Sequence, residues 1–161
     1  MHDLFAWIEA SAPGRIIRDM GPWTYAVVNL LHILGIASLF GAILVMDLRL
    51  LGFWRRVQLR PIADVAVPVA RAGFVLAAVS GIGLLATNAT EYDGNPFMLI
   101  KFPAIAIGLA NAMLLARSAA WKAAREGMPT AAQARRLGVM GGVSLASWLT
   151  AVTAGRMIGY W

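Results

Sequence analysis

Four stretches of the chain run for about a bilayer's width with one charge or none, although a hydrocarbon core of about 30 Å takes about 20 apolar residues in a helix. Trp23 to Met46 holds no Asp, Glu, Lys or Arg, and Leu137 to Gly155 is equally free between Arg136 and Arg156. Val65 to Ala86 is interrupted only by Arg71, and Phe97 to Ala116 only by Lys101. This pattern predicts an all-α fold: an integral membrane four-helix bundle, one domain over 1–161, with spans at about 23–46, 65–86, 97–116 and 137–156. Proline suits a first helical turn, where its missing N–H has no partner to lose, and Pro22, Pro61, Pro96 and Pro129 each precede a span. Asn95 reads as an N-cap, and Thr130 with Gln133 as a capping box. Pro68 and Pro103 lie inside spans and predict bends.

Residues 2–20 precede the first span with no long apolar core, and the first fourteen residues carry no Lys or Arg, so they do not read as a signal peptide. The expectation is an N-terminal interfacial helix. Leu4, Phe5, Trp7 and Ile8 would lie among headgroups, Pro13–Gly14 would turn the chain, and Arg15 and Arg18 would face lipid phosphates.

Composition agrees with insertion: 60% of residues are hydrophobic and 14% charged, against about 25% charged in soluble domains. The absence of cysteine excludes a disulfide scaffold, thiol catalysis, iron–sulfur ligation and covalent c-type haem. The net charge of +6 sits in two connections. One holds Arg49, Arg55, Arg56 and Arg60, the other Arg117, Lys122, Arg125, Arg135 and Arg136, while Thr87 to Pro96 holds Glu91 and Asp93. Basic loops stay in the cytoplasm, which places both termini and the acidic loop in the periplasm, ringed by Trp7, Trp23, Tyr92, Tyr160 and Trp161. Topology thus accounts for the cations, and nucleic acid is not an expected partner; the lipid bilayer is.

Polar residues are costly in a bilayer, so they carry the functional signal. Tyr25, Asn29 and His32 are spaced to share a helical face with Gly35 nearby, and His32 lies about 15 Å below the outer boundary by helix rise. Lys101 lies about 7 Å below the same boundary. A histidine with a cation above it suits a flat, apolar, carboxylate-bearing ligand, and haem b has that form. His32 would be the metal ligand, Lys101 and Arg156 would hold carboxylates, and Asn29 and Tyr25 would orient or cover the group. The bland readings are an interhelical hydrogen bond for His32, a Lys101 that snorkels toward Glu91 or Asp93, and an Arg71 that pairs with Asp47. Asn111 would bond across helices, and Gly73, Gly81, Gly141, Ser144, Ser147, Ala151 and Gly155 would let helices approach closely.

The runs Leu31-His32-Ile33-Leu34-Gly35, Phe40-Gly41 and Asp47-Leu48-Arg49, followed by Asn95-Pro96, Lys101 and Asn111, resemble a family of small, four-span bacterial inner-membrane proteins of unassigned function, over nearly the whole chain. More distantly they are similar to the CopD-like and HemJ-type membrane group, whose HemJ-type members are haem-associated protoporphyrinogen oxidases. That resemblance implies His32 and Lys101 as a functional pair. Leu99 stands where the group commonly has tryptophan, and only Asp47 and Arg49 represent its arginine-rich end of the first span, so the resemblance implies a porphyrin site rather than the oxidase reaction. A second axial ligand would come from Lys101, Met98 or another copy in a homo-oligomer, His2 being far outside the span. The leading expectation is membrane electron transfer between a quinone or porphyrin and a periplasmic redox partner, with no catalytic residue assigned and enzyme status left open. The rivals are a non-enzymatic anchor or scaffold, and a small transporter with Asn29, His32, Lys101 and Asn111 along a polar path.

Overall fold

The structure is a computed structural model that describes residues 2–161, with the side chains of residues 2–4, 13 and 22 outside the description. The expectations for His2 and Leu4 fall on those side chains. Seven α-helices follow one another among the described residues: α1 (His2–Glu9), α2 (Ala12–Asp19), α3 (Pro22–Leu51), α4 (Leu59–Thr87), α5 (Pro96–Arg117), α6 (Ala119–Arg125) and α7 (Ala131–Met157). Four of them, α3, α4, α5 and α7, are long and apolar enough to cross a membrane. They outrun their apolar stretches, since polar flanks continue a helix freely once it reaches headgroups. At 1.5 Å per residue the 30-residue α3 is about 45 Å long, against a hydrocarbon core of about 30 Å.

The expected caps are present. Asn95 Oδ1 accepts from Phe97 N at 3.0 Å, and the Thr130–Gln133 box is closed in both directions at 2.8 and 3.2 Å. Helices α4 and α5 continue through Pro68 and Pro103. An even number of spans brings both chain ends to the side of the 3-10 turn at Ala89–Tyr92, here called the terminal end; the arginine-rich connections form the opposite, basic end.

The interior is built from small residues and the exterior from large apolar ones. Ala63, Ala66, Ala77, Ala104, Ala151 and Ala154 are buried, while Ile33, Val79, Leu99, Ile107 and Val139 are exposed. This inverts a soluble core and fits hydrocarbon outside, where close backbone contact rather than water exclusion holds helices together. The tightest pairing is α3 on α4. A Cβ added to Gly35 would stand 2.6 Å from Ala77 N, and one on Gly73 would stand 2.5 Å from Leu39 N. Helices α5 and α7 form the second pair, and α3 joins α7 to link the two. The closest α3–α7 approaches are at the basic end, where Gly138, Gly141 and Gly142 face Asp47, Leu50 and Leu51. There α6, which hydropathy alone does not reveal, seals the bundle: Ala120, Trp121 and Ala124 are buried with Met46, Leu50, Leu59 and Leu137. The Arg125 guanidinium pairs with Asp64, which also meets Arg60 at 3.8 Å.

The N-terminal segment is two short helices rather than one, folded back onto the terminal end. Gly14 lies where any Cβ would strike Ala86 O at 2.3 Å. Arg15 and Arg18 are exposed, and each also ties the segment down: Arg15 donates to Ala10 O at 2.7 Å, and Arg18 donates to Thr87 O at 2.6 Å and to Glu9 O at 2.7 Å. The last carbonyls of a helix lack intrahelical donors and carry its negative dipole end, so a cation docks there readily. Glu9 Oε2 accepts from Thr90 N at 2.8 Å and Thr90 Oγ1 at 2.6 Å. These bonds, with Arg18 assisting, hold the Glu9 carboxyl below its ordinary value of 4.5. A carboxylate with a depressed pKa contributes above the ordinary range and loses that contribution as pH falls through and below it. Protection of residues 2–19 from hydrogen exchange, corrected for the intrinsic slowing of exchange in acid, is therefore expected to fall as pH drops below the ordinary carboxylate range, and Glu9→Gln to remove most of that dependence.

Candidate functional site

The two helix pairs meet along a seam, and the intramembrane polar groups His32 and Lys101 lie one on each pair. The middle of the seam is closed by Trp148 of α7. That indole stands edge-on to Phe74 of α4, with ring centroids 6.2 Å apart and planes at 74°, and it covers Gly108 of α5, whose added Cβ would meet the ring at 3.0 Å. One side chain thus touches both pairs. Trp148 is not singled out by the sequence, and its role comes from packing alone.

Toward the terminal end, about 8 Å above Phe74 by helix rise and register, the α3 wall carries His32. Its Nδ1 lies 2.8 Å from Ala77 O and 3.2 Å from Ser80 Oγ on α4. A carbonyl only accepts, so Nδ1 carries the proton and donates; the Ser80 hydroxyl is itself spent on Leu76 O at 2.5 Å. Nε2 is then the lone-pair nitrogen. It has no hydrogen-bond partner among the described residues and is not enclosed, because Asp47 Oδ2 is the buried unpartnered polar atom there. The ring is held in place by Gly81, where a Cβ would stand 2.8 Å from Cε1.

The opposite wall carries Lys101, about 10 Å above Gly108 on α5. Its stem lies along α7, with Cε and Nζ each 3.5 Å from the Cβ position of Gly155. No carboxylate pairs with it among the described residues, so the snorkelling contact to Glu91 or Asp93 is not made. His32 is thus held against α4 and Lys101 against α7.

The other sequence candidates lie around them. Asn29 precedes Asp47 by about five full helical turns, so both point along the same azimuth. Asp47 is buried against α7, whereas Asn29 is exposed, α7 having no close approach to α3 at that height. Tyr25 is 38% exposed and neighbours Tyr92 at the rim. Arg156 is engaged by Tyr160, stacking 4.6 Å over the ring and donating to the hydroxyl. Met98 is buried one turn from Lys101 toward the rim. Asn111 Nδ2 donates to Met140 O at 2.9 Å, the expected interhelical bond. Arg71 is exposed and makes no ion pair among the described residues, so Asp47 has no cationic partner and faces only the Ser144 hydroxyl. No cluster of three or more metal-binding side chains occurs among the described residues. A metal in the seam would rest on His32 and on the ligand that carried it.

Comparison with known proteins leaves the assignment to the chain itself. No curated protein and no solved structure matches it. A model of a family of unknown function, DUF6644, matches residues 4–161, and the chain belongs to that family.

Proposed function

We propose that the protein binds haem b, or a porphyrin of the same shape, in the seam, and serves membrane electron transfer. The carrying observation is the His32 imidazole, pinned by its Nδ1–H on Ala77 O so that Nε2 is left with a lone pair and no partner. A ligating imidazole characteristically donates its other N–H to a backbone carbonyl, which fixes tautomer and ring plane and raises basicity. Lys101, with no ion pair among the described residues and its stem along Gly155, would suit a propionate; Asn29 and Tyr25 lie nearer the rim, where they would cover the group's edge. Bound iron would supply one-electron chemistry, while the chain positions the group and excludes water. His32 and Lys101 are also the pair that resembles the HemJ-type histidine and lysine. With the basic end in the cytoplasm, in a bacterial inner membrane, the site would open toward a quinone in the bilayer and a periplasmic partner.

One observation favours a second reading, a non-enzymatic anchor or scaffold: the bond from His32 to Ala77 O also ties α3 to α4, which is a sufficient structural use of a histidine. The discriminating experiment is an oxidised and dithionite-reduced spectrum of protein purified in mild detergent from cells supplied with haem. A Soret band with reducible visible bands is expected. A colourless, well-folded protein would sink the haem reading and leave the scaffold.

A further inference from the structure

A second feature, independent of the seam, lies at the basic end. Between α5 and α7 runs an open groove of about 460 Å³, lined along its length by Leu114, Val139 and Val143 and closed at one end by Arg117 and Arg136. Asn111, occupied by Met140 O, forms its inner end. Arg117 and Arg136 are the first charged residues beyond the apolar stretches of α5 and α7, so both stand where hydrocarbon gives way to headgroups. Four other cations of this end are used internally: Arg49 donates to Val57 O at 2.9 Å, Arg55 to Gly52 O at 3.2 Å, and Arg60 and Arg125 pair with Asp64; Arg56, Lys122 and Arg135 have no such contact among the described residues but do not line the groove. Arg117 and Arg136 are exposed and make neither a hydrogen bond nor an ion pair among the described residues. Two guanidinium groups above a lipid-facing apolar groove match one kind of molecule in both halves, a phosphate on an acyl chain.

We propose that this groove is a binding site for an anionic phospholipid, with Arg117 and Arg136 holding the headgroup phosphate and Leu114, Val139 and Val143 seating the start of an acyl chain. A soluble anion would use the arginines and leave the groove open; a neutral lipid would fill the groove and waste the arginines. The anionic lipid alone uses both.

The test is a titration of the detergent-solubilised chain with short-chain phosphatidylglycerol, phosphatidylcholine and glycerol phosphate, read by native mass spectrometry. Phosphatidylglycerol is expected to bind best. Each of Arg117→Gln and Arg136→Gln should weaken it about fivefold, and the pair about thirtyfold, at about one near-surface cation's worth apiece. Val143→Phe, which fills the groove and leaves both arginines, should weaken the lipid while leaving glycerol phosphate unchanged. Three outcomes would overturn the site: equal binding of phosphatidylcholine, glycerol phosphate binding as tightly as the lipid, or an equal loss in Arg56→Gln with Arg135→Gln, which lie outside the groove and would reveal a diffuse field only. All four arginines are exposed, so helical circular dichroism is expected to be unchanged throughout.

Discussion

His32→Ala is expected to abolish the Soret and reducible visible bands of the purified protein, and His32→Phe to do the same without unfolding it. The two substitutions separate ligation from packing. Phenylalanine retains a ring against Gly81, and Ala77 O keeps its place in the α4 ladder, so the fold loses only the Nδ1–H bond, about 1 kcal/mol. Lys101→Met keeps the stem along Gly155 but removes the ammonium. It should leave the band positions and weaken haem retention about tenfold, the scale of one charge-assisted hydrogen bond. If His32→Phe retains every band of the parent, His32 is not the ligand and the assignment fails, whatever the stability of the variant.

The largest effect on stability is expected at Gly73. Alanine in a helix interior is ordinarily favoured over glycine by about 1 kcal/mol. Here the new Cβ would lie 2.5 Å from Leu39 N and 2.8 Å from Gly35 O, both backbone, so no side-chain rotation relieves it and the helices must separate. Overpacking of this kind costs about 1 to 3 kcal/mol for a small increment, which outweighs the propensity gain. Gly73→Ala should therefore lower the midpoint of SDS-induced unfolding, and Gly73→Leu should part α3 from α4 altogether. Gly41→Ala is the matched control, because nothing lies within 4 Å of its added Cβ; it is expected to be neutral or mildly stabilising. A Gly73→Leu protein as stable as the parent would refute the close α3–α4 approach.

How much of this was legible in the sequence differs by feature. Local signals read well. The caps at Asn95 and Thr130 are satisfied within three residues, and their residue types announce them. Features that depend on partners far along the chain did not show. Glu9 meets Thr90 across 81 residues and Arg18 meets Thr87 across 69, so nothing in the first twenty residues distinguishes a docked hairpin from a helix floating among headgroups. Helix α6 is too short for a hydropathy signal, and its Ser118 cap, with the side chain accepting from Trp121 N at 3.1 Å, was its main local mark. Within the site, His32 and Lys101 stood out because charge and imidazole are costly in hydrocarbon. Trp148, Phe74 and Ser80 did not, since apolar and small residues are the ordinary content of a span.

The sequence alone determined the number of spans, their approximate limits, the end at which the cations collect and the two polar residues worth pursuing. Each follows from what single residues tolerate in hydrocarbon. Only the tertiary structure decided that α3 pairs with α4 and α5 with α7, that Trp148 bridges the pairs, and that His32 packs on α4 and Lys101 along α7. The reason lies in the solvent. In water a helix shows its partner-facing side by hydrophobic contrast, whereas lipid tails are as apolar as leucine, so a span's pattern says little about which side meets protein. That choice rests on close backbone contacts such as Gly35 on Ala77, which exist only once two helices have met.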